Sequence, residues 1–104
     1  NDPAFVEAAA ALGERMASVP RREVGIDLGI RRVLGRPATV QERTRLGRLF
    51  QESLAHFRRQ PSAAVELLKA ANRVVPAGGD PGRAAAWAMV GNVLLNLDET
   101  LVRP

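Results

Sequence analysis

Apolar positions along this chain recur every three or four residues and never alternate over a strand-length run, which is the period of amphipathic helices. Phe5, Ala9, Leu12 and Met16 set a first stripe. Ile26, Ile30 and Val33 set a second, with Leu34 beside them and Arg31 and Arg32 turned away. Leu46, Leu49, Phe50, Leu54 and Phe57 form the longest stripe, and Val65, Leu68 and Ala71 a short fourth. Trp87, Val90, Leu94 and Leu97 form the fifth, widened by Met89 and Val93. A helix apolar around that much of its circumference belongs at the centre of a fold.

Start and stop signals divide the same stretches. Asp2-Pro3 reads as an N-cap with proline at the first helical position, and the first helix runs to about Ser18, before Pro20. The second begins near Arg21 and ends at Gly35, placed where a left-handed residue is wanted, with Pro37 forbidding continuation. Thr39 and Glu42 form a capping box for the third, which ends just before Pro61. Gln60-Pro61 repeats the cap-then-proline device more weakly. Asn72 to Gly79 reads as a loop holding Pro76 and the Gly78-Gly79 pair, and Asp80-Pro81 opens the last helix. The prediction is an all-α protein, a compact bundle of about five helices, with residues 1–104 as one domain.

Composition narrows what such a bundle can do. At 104 residues a chain buries about 65% of its unfolded surface, enough for one modest core. No apolar run approaches the roughly 20 residues a membrane span needs, so no membrane insertion is expected. The absence of cysteine excludes a disulfide framework, a thiolate zinc site, haem attachment through a Cys pair and cysteine catalysis within the chain. The opening Asn1-Asp2-Pro3 shows neither an initiator Met nor a basic segment before an apolar one, so the chain is expected to be a piece of a longer protein. Net charge is +4, and Lys69 is the only lysine among 15 basic residues. The arginines are spread along the chain and mixed with acids, the pattern of a solvated surface.

Each candidate for chemistry lacks the neighbours chemistry needs. His56 is the only histidine, with Glu52 one turn earlier and nothing at metal-ligand spacing, so a surface or boundary role is expected. Asp98-Glu99 could bind a cation or act as acid and base, but adjacent helical residues point in different directions. Arg21, Arg22, Arg31, Arg32 and Arg36 are the densest basic cluster, and the second and third helices could pass for a helix-turn-helix. Against nucleic acid stand the carboxylate of Glu42 at the start of the would-be recognition helix and an aromatic content of 4%. Asp80 would repel a phosphate from the Gly78-Gly79 loop. Trp87 is expected in the core with its indole N–H on a backbone partner. No catalytic, cofactor or metal residues are assigned, no small-molecule ligand is expected, and the chain is expected not to be an enzyme.

Three stretches carry a family resemblance. They are Asn1-Asp2-Pro3-Ala4-Phe5-Val6-Glu7-Ala8-Ala9, then Ile30-Arg31-Arg32-Val33-Leu34-Gly35-Arg36-Pro37-Ala38-Thr39 with Glu42-Arg43, and Leu94-Leu95-Asn96-Leu97-Asp98-Glu99 with Arg103. In this order and spacing they resemble the C-terminal end of the planctomycete-specific domain of unknown function. That domain occurs in large bacterial proteins, many of which also carry a cytochrome c-like domain. Thr100 departs from the pattern, standing where an aromatic is common. The resemblance implies an exported or cell-envelope parent whose haem-binding part lies elsewhere.

The functional expectation is a helical interaction or structural module that packs on the rest of its parent or on a protein partner. Its rivals are an accessory part of a redox or hydrolytic active site built mainly by upstream sequence, and a basic nucleic-acid binder. Asp98 or Glu99 is expected to pair with Arg36, Arg31 or Arg32, tying the tail to the turn between the second and third helices.

Overall fold

The computed structural model describes residues 2–97, and these form five helices. They are α1 (Pro3–Ala17), α2 (Arg22–Leu34), α3 (Val40–Arg59), α4 (Pro61–Ala70) and α5 (Pro81–Asn96). Most of the terminal signals act locally as the sequence predicts. Asp2 Oδ1 accepts from the Ala4 amide at 2.9 Å, and Asp80 Oδ1 from the Arg83 amide at 3.1 Å. At Thr39 both halves of the capping box form, with the hydroxyl accepting from the Glu42 amide at 3.0 Å and Glu42 accepting from the Thr39 amide at 2.9 Å. Gly35 ends α2 at φ 72°, where a side chain would be strained. Gln60 differs: it is the single residue between α3 and α4, and its side chain makes no capping bond.

Helix α5 packs against all four other helices, because Ala85, Ala86, Trp87, Ala88, Val90 and Leu94 are buried around most of its circumference. Trp87 is the hub. Its ring lies 4.6 Å from Phe50 of α3, tilted by 42°, and Arg22 of α2 covers Phe50 at 5.7 Å. Small residues bring α1 and α5 into backbone contact. A Cβ on Gly13 would come within 2.8 Å of the Ala88 nitrogen, and one on Gly91 would overlap the carbonyl oxygen of Ala9. Gly25 in turn lets α2 lie against the Met16 carbonyl and the Trp87 ring.

Three sequence expectations about the core need correction. The Trp87 indole N–H is buried without a hydrogen-bond partner among the described residues, because the ring sits among aliphatic and aromatic groups instead of beside a free carbonyl. Val65 is 53% exposed, not part of the α4 core stripe. That helix faces α5 through Ala64, Leu68 and Ala71, and a residue three before Leu68 lies about 60° round the axis from it. Leu97, expected in the α5 stripe, is 42% exposed just past the end of the helix. The radius of gyration is 13.1 Å, against about 13 Å for a compact chain of this length.

Candidate docking surface

The most distinctive surface lies on the link between α4 and α5, and local chemistry explains its shape. Helix α4 ends in a Schellman motif: the Asn72 amide donates to the Lys69 carbonyl at 3.0 Å and the Arg73 amide to the Leu68 carbonyl at 2.8 Å. Asn72 holds the left-handed position at φ 56°, which asparagine tolerates better than other side-chain-bearing residues. Its Nδ2 donates to Glu7 at 2.6 Å, while Arg73 Nη2 reaches Glu14 at 3.2 Å. Those two contacts pin the start of the link to α1.

At the far end, the Gly79 amide donates to the Pro76 carbonyl at 2.8 Å across a turn that needs Gly78 at φ 81°. Asp80 then caps α5 and receives both Nη groups of Arg58 at 2.7 Å each. The Arg58 guanidinium, helped by the Arg83 amide, holds the Asp80 carboxyl down at about 2. Gly82 leaves room for this pair, since a Cβ there would lie 2.7 Å from Arg58 Nη1.

Between the two anchors runs Val74-Val75-Pro76. Proline disfavours the helical region for Val75 and both valines are β-branched, and neither residue is helical. Val74 stands 89% exposed at its crest. On one side is a hollow of about 200 Å³ against α1 and α5, floored by Ala10, Gly13, Ala17 and Ala84. On the other is a hollow of about 310 Å³ against α4, reaching Val65, Lys69 and Pro81. Leu68, Arg73, Val74 and Val75 wall both. Val74 is thus an exposed apolar crest with a largely apolar hollow on either side.

The residues singled out from sequence lie elsewhere. Arg36 grips Glu42 with two bonds, 2.9 and 2.8 Å, and this contact with the Thr39 amide lowers the Glu42 carboxyl to about 2. Glu42 is therefore turned back into the α2–α3 turn instead of facing outward. The exposed start of α3 carries Gln41, Thr44, Arg45 and Arg48, and Glu42 borders a hollow beside Gln41 and Arg45 with its charge paired by Arg36, which lessens the carboxylate objection to an anionic partner there. Arg31 and Arg32 are exposed in the last turn of α2 and make no ion pair with a described residue, while Asp98 and Glu99 lie outside the described residues. Arg21 reaches Glu23 only at 4.0 Å in solvent. His56 is exposed and meets Phe57 edge-on at 5.1 Å.

Among the described residues no cluster of three His, Cys, Asp or Glu side chains could hold a metal ion, and no helix is long and apolar enough to cross a membrane. The sequence did not reveal the ridge, though Asn72 ahead of Val-Val-Pro was a usable signal for a left-handed helix end followed by an extended run. No family model, no curated protein and no solved structure matches the chain.

Proposed function

We propose that this chain is a non-enzymatic interaction module, a helical domain that docks through the α4–α5 link onto the rest of a larger protein or onto a partner. The observation that carries this reading is Val74, 89% exposed between two apolar hollows on a link pinned at both ends. Leaving a valine in water forgoes about 1.5–3 kcal/mol that burial would return, a stabilisation available to a complex. The resemblance of the Asn1–Ala9, Ile30–Thr39 and Leu94–Glu99 stretches supports a large bacterial envelope protein as the parent, with this domain at its C-terminal end.

A photoreactive residue replacing Val74 in the full-length parent tests the reading. Cross-links mapping to one discrete site, upstream in the same polypeptide or on one recurring protein, are expected. Cross-linking no more frequent than from the same residue at Arg59 would reject it. A second reading, contact with a nucleic-acid backbone through Gln41, Thr44, Arg45 and Arg48, is favoured by the inward turn of Glu42. Titration with random-sequence DNA at low and high salt decides it, since phosphate contacts weaken steeply with salt.

A further inference from the structure

The proposed docking surface also indicates what it binds. The charges around it are unevenly satisfied. Its acids are already engaged: Glu7 by Asn72, Glu14 by Arg73 and Asp80 by Arg58. Two of its cations face no acid: Lys69, at the α4-side hollow, makes no ion pair among the described residues, and Arg83, at the α1-side hollow, makes none either, its Nη2 donating to the Ala17 carbonyl at 3.3 Å. The crest itself offers unused main-chain donors, because the amides of Val74 and Val75 make no hydrogen bond among the described residues. The surface therefore combines two apolar hollows, main-chain N–H groups without partners among the described residues, and at each hollow a cation with no acidic partner among them.

We propose that the Val74 ridge binds an extended peptide segment of its partner in which two aliphatic anchors, at i and i+2, are flanked on the same face by acidic residues at i−2 and i+4. This inference rests on the docking role proposed above and specifies its chemistry. An extended chain crossing the ridge sets side chains i and i+2 about 7 Å apart on the same side, one for each hollow. A carbonyl oxygen of that chain can accept from the Val74 or the Val75 amide, each of which lacks a partner among the described residues. Acidic residues at i−2 and i+4 lie on the same face as the anchors and meet Lys69 at one hollow and Arg83 at the other, which disfavours basic segments.

Blocked peptides with Leu at i and i+2 and either Glu (the Glu–Leu peptide) or Lys (the Lys–Leu peptide) at i−2 and i+4, with Ser between, are the probes, with amide chemical shifts and fluorescence anisotropy as readouts. The Glu–Leu peptide is expected to shift residues 65–69 and 73–83 and to bind more weakly at high salt. Val74→Asp is an exposed change that should leave the circular dichroism intact and weaken binding at least about tenfold, the loss of one anchor. The double variant Lys69→Glu with Arg83→Glu should reverse the preference between the two peptides. Equal binding of the Lys–Leu peptide at the same residues overturns the acidic chemistry while leaving the docking surface in place. Failure of both peptides to bind overturns the proposal, and absence of Val74 cross-links in the parent separately removes the docking role. A dimer abolished by Val74→Asp in sedimentation, or Val74-dependent binding to phosphatidylglycerol vesicles, would also overturn it, in favour of self-association or a lipid surface.

Discussion

Replacing Gly91 and Gly47 by alanine, one at a time, separates the tertiary demand for glycine from its intrinsic cost. Both lie inside helices, where alanine is favoured over glycine by about 1 kcal/mol. At Gly47 nothing opposes that gain, since a Cβ meets only Ile26 Cδ1 at 3.9 Å, an ordinary contact. At Gly91 the Cβ overlaps the Ala9 carbonyl oxygen, lies 3.2 Å from the carbon of that carbonyl and 3.4 Å from the Gly13 nitrogen. These are backbone atoms, so no side-chain rotation relieves them. Helix α1 has to retreat by roughly 1 Å, loosening the dispersion contacts along the crossing. Overpacking of this kind costs about 1–3 kcal/mol, and the backbone origin of the clash puts Gly91→Ala toward the upper end. Net of propensity, Gly91→Ala should destabilise by about 1–2 kcal/mol and Gly47→Ala stabilise by about 0.5–1 kcal/mol. In a domain of this size each kcal/mol moves Tm by about 4–8 °C. Thermal and urea unfolding followed by circular dichroism measure both. Gly91→Ala at or above the unmodified stability would refute the close α1–α5 crossing, and Gly47→Ala below it would refute the open site on α3.

Two further outcomes follow from the turns. Glu42 and Asp80 are both more acidic when folded, at about 2 against ordinary values of 4.5 and 3.8, so their stabilisation is complete above about pH 4.5 and is lost as pH falls toward 2. Glu42→Gln should flatten stability across that window by up to about 1 kcal/mol, the level of a partly exposed pair, and leave it nearly level above pH 6; an unchanged slope in urea titrations would refute the Arg36 contact. At the end of α4, Asn72→Gly keeps the left-handed backbone and loses only the bond to Glu7, so near-neutral stability is expected. Asn72→Ala also meets the left-handed penalty and should cost about 1–2 kcal/mol; equal effects of the two changes would contradict the Schellman assignment.

The helices were legible because their determinants are local. Asp2, Gly35, Thr39 with Glu42, and Asp80 act within four residues, and each does so in the structure as expected. The anchors of the α4–α5 link were not legible. Asn72 meets Glu7 across 65 residues, Arg73 meets Glu14 across 59 and Arg58 meets Asp80 across 22, separations at which one sequence carries no pairing signal. Periodicity also blurred the surface beside the α4–α5 link. Val65 sits near enough to the Leu68 stripe to read as core, and only the direction in which α4 meets α5 exposes it. The inward turn of Glu42 shows the same limit, because a capping carboxylate can serve an arginine at the same time, and Arg36 supplies that second partner from the preceding turn.

The chain contains no cysteine, so single thiols report burial without background in the isolated chain, and the unsubstituted parent gives the background to subtract in the full-length protein. Val74→Cys, placed on the ridge, and Arg48→Cys, on the outer face of α3, provide the most direct measurement: the rate of maleimide labelling in the isolated chain and in the full-length parent. Both thiols should label rapidly in the isolated chain, and only Cys at position 74 should be protected in the parent or its complex. Equal labelling of position 74 in both settings would contradict the claim that this face is covered by a partner.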